Sequence, residues 1–345
     1  MAPGPSGAGW SGAGSPSPDV TVVVITWQGR HLIEACLASL RTQTAAHRVV
    51  VVDNASTDGT AELLRDRHPE VALVELATNT GFAGGVAAVL GQVETRYLAL
   101  LNNDAEADPT WLREATAYLG AHPGVAAVSS RMLLTDVAGT INNAGVLLLP
   151  TGYGADRGLG EPDGEIFDEP VEVFAASGGA GVYRTLAVKA VGGIEPRYFM
   201  YYEDTDLSWR LRLAGWTIAY CPTAVVHHRH AASSEPGSPS FAFHTERNRL
   251  LTLARCAPPG FTLAQTCRFV LTTASLIMTR LLGRPVPDDA VFSPPVRLRA
   301  LASALRLAPE LMRVRLTSTR ARRASVLREW RGVPQRPIPP AGTSA

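Results

Sequence analysis

The run Val49-Val50-Val51-Val52-Asp53-Asn54-Ala55-Ser56-Thr57-Asp58-Gly59-Thr60 sets the reading of the whole chain. Four consecutive β-branched residues predict a strand buried on both faces, as in a parallel sheet, and the polar residues after it form the loop at its carboxyl end. Ser56 or Asp58 is placed to cap a helix over 61–67. Upstream, VTVVVI at 20–25 repeats the buried-strand pattern, Trp27-Gln28-Gly29-Arg30 forms its loop, and Leu32, Ile33, Cys36, Leu37 and Leu40 fall at helical spacing. Downstream the alternation continues as a strand over 71–76, the loop Asn79-Thr80-Gly81-Phe82, a helix over 84–93 and a strand over 97–101.

Four such βα units predict a doubly wound α/β domain with a mostly parallel sheet flanked by helices. Pro109 opens a helix over 110–119, and 125–134 is a further strand. Residues 151–170, rich in Gly, Asp and Pro, are expected to be a long functional or mobile loop. A short strand after Val171, a Gly-rich turn over 176–181 and a helix over 185–191 follow. Then come the aromatic run Tyr198-Phe199-Met200-Tyr201-Tyr202, a helix over 207–214 ended by Gly215, and strands over 217–220 and 224–228.

With 345 residues, 46% apolar and 18% charged, the chain has enough side chain for a sizeable core and too little charge for a solvated coil. Its 32 basic and 31 acidic residues are unevenly placed. From Arg297 onward stand eleven arginines and two glutamates, a balance of +9 that leaves −8 before it. Such a basic end calls for an acidic partner, an anionic membrane surface or nucleic acid. Trp330 is the one aromatic residue close to these arginines, too few for a stacking nucleic-acid surface, so no nucleic acid is expected.

The helix expected over 263–282 carries Leu263, Cys267, Val270, Ala274, Ile277 and Leu281 on one stripe. It is long enough to span a bilayer, but Gln265, Arg268 and its threonines oppose insertion. A second stripe, Leu298, Leu301, Leu305, Met312 and Leu316, lies among arginines and is interrupted at Pro309, a composition suited to a membrane interface. Four cysteines without CxxC spacing indicate neither a zinc ribbon nor a disulfide framework. Residues 1–19 lack a charged and apolar targeting pattern and are expected to be a disordered leader, with 332–345 a disordered tail. The intervening chain divides into a domain over 20–251 and an amphipathic basic helical region over 252–331.

Ligands of open α/β sheets bind beyond the carboxyl ends of the strands. Asp53, Asn103 and Asp104 stand at such ends. Asp53 is placed either to accept hydrogen bonds from a nucleotide or to cap a turn. Asn102-Asn103-Asp104-Ala105-Glu106 offers oxygen ligands to a hard cation, or forms an Asn/Asp turn. Glu203-Asp204-Thr205-Asp206 places three carboxylates in four residues. They serve either a helix N-terminus, through its dipole, or a general base with a pKa raised by mutual repulsion. His227-His228-Arg229-His230 begins at a strand end.

VVVVDNASTDGT, NTGFAGG, LALLNNDAE, ASGGAGVYR, YFMYYEDTDLSWRLRLAGW, AVVHHRHAASS and ERNRL, in this order, resemble the family 2 inverting glycosyltransferases of the GT-A fold. The resemblance is to the bacterial branch with rhamnosyl- and galactofuranosyltransferases, and it covers roughly residues 20–251. It implies that Asp204 is the catalytic base. It also implies that Thr26, Asp53, Asn79, Gly81, Asn103 and Arg210 bind the donor, and that Asp104 with His228 holds a divalent cation, Mn²⁺ or Mg²⁺. His227 rivals His228. Glu203, Asp206 and Trp216 fall to acceptor binding or support. The partners implied are a nucleotide-sugar donor, dTDP-rhamnose ahead of UDP-galactofuranose, and a lipid-linked or cell-envelope glycan acceptor. The expected location is cytoplasmic and peripheral, at the inner face of the cell membrane, through the basic C-terminus. An inactive membrane-surface scaffold of the same fold is the alternative. Two positions depart from the family pattern: Asn102 replaces the first acid of a DxD motif, and Gly193-Ile194-Glu195 stands for the more usual Gly-Phe-Asp.

Overall fold

The computed structural model describes residues 18–229, 237–313 and 318–338. Most of the expected leader, the end of the expected tail, His230 and Leu316 lie outside the described residues. The first half alternates β1 (Val20–Thr26), α1 (Ile33–Arg41), β2 (His47–Asp53), α2 (Thr60–Arg67), β3 (Ala72–Glu75), α3 (Gly81–Leu90) and β4 (Tyr97–Asn102). Next come β5 (Ala105–Ala107), α4 (Trp111–Ala121), β6 (Val125–Leu134), β7 (Ile141–Asn143), β8 (Val146–Leu148) and β9 (Gly154–Asp156). The remainder comprises β10 (Val171–Glu172), β11 (Gly181–Arg184), α5 (Thr185–Ala190), α6 (Glu203–Leu213), β12 (Thr217–His228), α7 (Pro239–Cys256), α8 (Pro259–Leu281), α9 (Pro294–Arg313) and α10 (Arg320–Trp330).

The main sheet runs β10-β12-β6-β11-β4-β1-β2-β3, with β5 beside β12 and β7 beside β6. Strands β3, β2, β1 and β4 are parallel, so that Val24 lies between Val51 and Leu101. β11 is antiparallel to both β4 and β6, and β12 returns parallel to β6. The result is a largely parallel sheet whose β1, β2 and β4 end on one edge. Period-two alternation explains why these strands had to be apolar throughout. Val23, Ile25, Val50 and Val52 pack against α3 residues on one side, whereas Val22, Val24 and Val51 meet Ile33, Leu37 and Trp111 on the other.

Several expectations are corrected. The 151–170 segment contains β9 and is pinned down: Tyr153 donates to Glu246 Oε1 (2.7 Å) and the Gly154 amide to the Tyr202 hydroxyl (3.0 Å). The two short strands over 217–228 are one, β12, with an irregularity between Cys221 and Val225 that suits a polar-to-apolar break in the sequence. Helix α6 starts at Glu203, so the carboxylate cluster forms its first turn rather than preceding it. Pro309 lies inside α9 and does not end it.

The largest correction concerns the C-terminus. α7 crosses the expected boundary at Leu251, and α10 completes a core of Phe174, Trp209, Leu253, Val326 and Trp330. Two of the arginines expected to face an outside partner, Arg297 and Arg323, are turned inward. Arg297 is 5% exposed, lies 3.4 Å from Glu246 and covers the Phe269 ring at 4.0 Å. Arg323 donates to the Arg255 carbonyl, and the backbone of Arg336 pairs with that of Glu172, so the start of the expected tail is ordered. A buried guanidinium needs acceptors, and here carbonyls and glutamates of the domain supply them.

Candidate active site

A cavity of about 800 Å³ opens at the carboxyl edge of β1, β2 and β4, where an α/β sheet of this order binds its ligand. Thr26, Asn54, Asn79 and Asn103 line its sheet side, and Phe82, Met200, Tyr201 and Phe241 add apolar surface to a lining that includes Glu203 and Asp204. All five non-glycine residues with positive φ among the described residues, Gln28, Ala55, Phe199, Tyr201 and Tyr202, lie on loops at or beside this cavity. Strained backbone of this kind persists only where its surroundings hold it, and it gathers at functional sites.

The sheet side is built from short polar contacts. Asn103 Nδ2 donates to Thr26 Oγ1 at 3.0 Å, and the Gly81 amide donates to Asn79 Oδ1 at 2.8 Å. Gly81 has φ +72°, and a Cβ there would overlap the Phe199 carbonyl, so only glycine serves. Asp53 is 2% exposed. Its Oδ2 accepts from the Ser56 amide (3.0 Å), while Oδ1 is buried without a hydrogen-bond partner. An unsatisfied buried carboxylate oxygen costs about 1–3 kcal/mol, which a bound donor group would recover. Neither Ser56 nor Asp58 caps α2: its N-cap is Gly59, without a side-chain cap bond, and Asp58 Oδ1 accepts from the Thr60 amide in the turn before the helix.

Beyond Asn103, Asp104 Oδ1 and His228 Nε2 converge to 3.0 Å, and Asn142 Oδ1 meets His228 Nδ1 at 3.0 Å. Neighbouring strand residues point to opposite faces, so His227 turns the other way, to Asp108 at 3.3 Å, half-exposed. That alternation separates the two rivals: only His228 faces Asp104. Among the described residues no three His, Cys, Asp or Glu side chains form a metal-binding group. The protein therefore offers two anchoring atoms at this point. An imidazole oriented from behind by Asn142 fits a cation site completed by substrate phosphates.

Asp204 lies in the first turn of α6 on the cavity wall. The Gly178 amide donates to its Oδ2 (2.9 Å), and the Thr205 amide and hydroxyl donate to its Oδ1. Burial raises its pKa, partly offset by these hydrogen bonds. Burial and the adjacent Asp204 charge push Glu203 well above the usual carboxylate range, and its Oε2 has no hydrogen-bond partner. Burial and the neighbouring charge thus both oppose ionisation of Glu203.

Three expected site residues lie elsewhere. Arg210 is 1% exposed; its Nε donates to Asp206 (2.7 Å), and its other nitrogens donate to the Val191 and Gly193 carbonyls. Asp206 is fully buried between Arg210 and Arg255. Trp216 sits beyond the far end of α6, roughly 16 Å along an eleven-residue helix from Glu203. Asp206 and Arg210 thus hold the fold, and neither lines the cavity. Sequence reasoning passed over Trp27, Met200 and Phe241, which line it; only the YFMYY run signalled such a wall.

The model described as "Glycosyl transferase family 2" matches residues 21–162. An N-acetylglucosaminyl-diphospho-decaprenol L-rhamnosyltransferase of Mycobacterium tuberculosis is 30% identical over 249 residues, 65% of this chain and 80% of that protein. A pre-mycofactocin glycosyltransferase of the same organism is 25% identical over 213 residues, 61% of this chain and 43% of that protein. Among solved structures, a mannosyltransferase from Pyrobaculum calidifontis in complex with GDP-Man and Mn²⁺ superposes with TM-score 0.51 at 20% identity, covering 91% of this chain and 87% of that one. GalNAc-T7 with UDP, GalNAc and Mn²⁺ gives TM-score 0.57 at 12% identity, covering 85% and 56%. These structural likenesses show a shared GT-A fold.

Proposed function

Because the chain belongs to the family 2 glycosyl transferases, and is thereby a glycosyltransferase acting on a nucleotide-sugar donor, we propose that it moves rhamnose from dTDP-rhamnose to a hydroxyl of a lipid-linked glycan, with inversion. The observation that carries the mechanism is the Asp204 carboxylate, held on the cavity wall by Gly178 and Thr205 across from the strand ends. The rhamnosyl group and the lipid-linked acceptor rest on the 30% identical relative, whose name carries both.

Asp53, Asn79, Gly81, Thr26 and Asn103 bind and orient the nucleotide. The acceptor hydroxyl lies against Asp204, which takes its proton as the oxygen bonds to the anomeric carbon and the bond from that carbon to the diphosphate breaks. Burial and the Asp204 charge oppose a second charge on Glu203 beside it on the wall. Phe82, Met200, Tyr201 and Phe241 exclude water, limiting donor hydrolysis. Asp104 and His228 would hold a divalent cation, Mn²⁺ or Mg²⁺, which neutralises the charge of the departing diphosphate.

The experiment is turnover of UDP-, GDP- and dTDP-sugars, with and without Mn²⁺ or Mg²⁺, with membrane lipid extract as acceptor. Metal-dependent turnover of dTDP-rhamnose is the expected outcome. Preference for UDP-galactofuranose would overturn the sugar, and no turnover of any donor would favour an inactive scaffold.

The reading includes a peripheral seat at the inner face of the cell membrane. Among the described residues α8 alone is long and apolar enough to cross a membrane, by length and composition only, and 11% of its most apolar window is buried. Leu271, Met278 and Leu281 on α8 and Leu298, Leu305 and Met312 on α9 are exposed, with Arg268, Arg280, Arg299 and Arg306 on the same helices. Apolar stripes beside arginines suit an anionic lipid interface. Vesicles rich in phosphatidylglycerol should co-sediment the protein, and neutral vesicles should not. Leu271→Asp with Leu281→Asp should release it; unchanged binding of that variant would reject this surface.

A further inference from the structure

The catalytic wall is reached through a backbone that ought not to be stable by itself. Phe199 has φ 66° and ψ −67°, and the Met200 amide donates to the Tyr198 carbonyl at 2.8 Å. This is the rare, strained form of γ-turn. Tyr201 (φ 66°) and Tyr202 (φ 70°) follow, the latter entering α6 immediately before Glu203 and Asp204. Bulky residues in such a region persist only where the surrounding structure holds them.

The restraint comes from α7, a helix distant in sequence. Asn248 is fully buried, and its Nδ2 lies within hydrogen-bond distance of three carbonyls of this loop: Tyr198 (2.9 Å), Met200 (2.9 Å) and Tyr201 (2.7 Å). Arg247 Nη2 adds a bond to the Tyr198 carbonyl at 2.7 Å. From the other side the Ala83 amide of α3 donates to the Phe199 carbonyl at 3.0 Å. Two aromatic contacts complete the hold, His244 stacked on Phe199 and Phe241 edge-on to Tyr201.

We propose that Asn248 is a positioning residue for sugar transfer: its amide clamps the strained 198–201 loop and thereby fixes the entry of α6 that carries Asp204. The inference rests on Asp204 being the base. Without the clamp the loop relaxes toward negative φ, the first turn of α6 shifts, and Asp204 leaves the acceptor hydroxyl. Thr26, Asp53 and Asn103 stand at the ends of β1, β2 and β4, away from this loop, so nucleotide binding through them stays.

The test compares Asn248→Ala, Asn248→Ser and Asp204→Asn with the unmodified full chain, reading kcat per folded molecule with the best donor and the affinity for dTDP and UDP by calorimetry. A displacement near 1 Å from a change outside the chemistry costs about 10²-fold in rate. The alanine variant should therefore lose about 10²-fold in kcat while nucleotide affinity stays within about twofold, and serine, which keeps one donor, should lose less. A merely structural residue would lower the folded fraction and leave kcat per folded molecule unchanged. Retention of kcat by Asn248→Ala with Asp204→Asn inactive would overturn the clamp alone. Full activity of Asp204→Asn would overturn the base reading beneath it. Failure of even the serine variant to fold would also overturn the clamp, because the proposal makes it dispensable for folding.

Discussion

Replacing Asp204 with asparagine is expected to lower kcat by about 10²–10⁴-fold, the range that positioned general-base help supplies. The substitution keeps the side chain's size and one carbonyl oxygen for the Thr205 amide, so the folded fraction should hold and nucleotide affinity should change little. The pH profile gives the second reading of the same group. Asp204 acts only when ionised, and burial raises its pKa above the ordinary 3.8. Turnover should therefore fall on acidification through a value above that figure, and the limb should vanish with the residue. A variant with unimpaired kcat and an unchanged acid limb would remove Asp204 from the mechanism.

The opposite outcome is expected two residues along. Asp206→Ala should destabilise the protein by about 3–5 kcal/mol, because it strands the buried Arg210 and Arg255 guanidiniums without their shared carboxylate. The loss appears as a shift in the urea midpoint at unchanged slope. Arg210→Ala belongs to the same network and should cost stability while leaving donor KM unchanged in the folded fraction. A raised donor KM at full stability would return Arg210 to the donor site and reverse the present assignment.

These two carboxylates show where reading residues in order stops. Within Glu203-Asp204-Thr205-Asp206 the residue types announced charge chemistry and a helix start. On an α-helix, however, each residue turns by about 100°, so Asp204 and Asp206 point to nearly opposite sides. One meets the cavity and the other meets two arginines, one of them 49 positions away at Arg255. The same limit applied at His227 and His228, where the alternation of β12 sent one ring to Asp108 and the other to Asp104. Arg297 and Arg323 carried it furthest: composition places them in a basic tail, and packing turns these two inward while Arg299, Arg306, Arg320 and Arg328 stay exposed.

The layered α/β architecture, the strand ends at which the ligand site forms, and the residue types gathered there are all legible along the chain. These depend on local period and on turn chemistry, which neighbours along the chain supply. Which acid faces the cavity, which histidine joins Asp104, which arginines turn inward, and the contact of Asn248 of α7 with the loop before Asp204 emerge only when the chain is packed. Those outcomes depend on partners dozens of residues away, brought within about 3 Å by packing that no local pattern encodes.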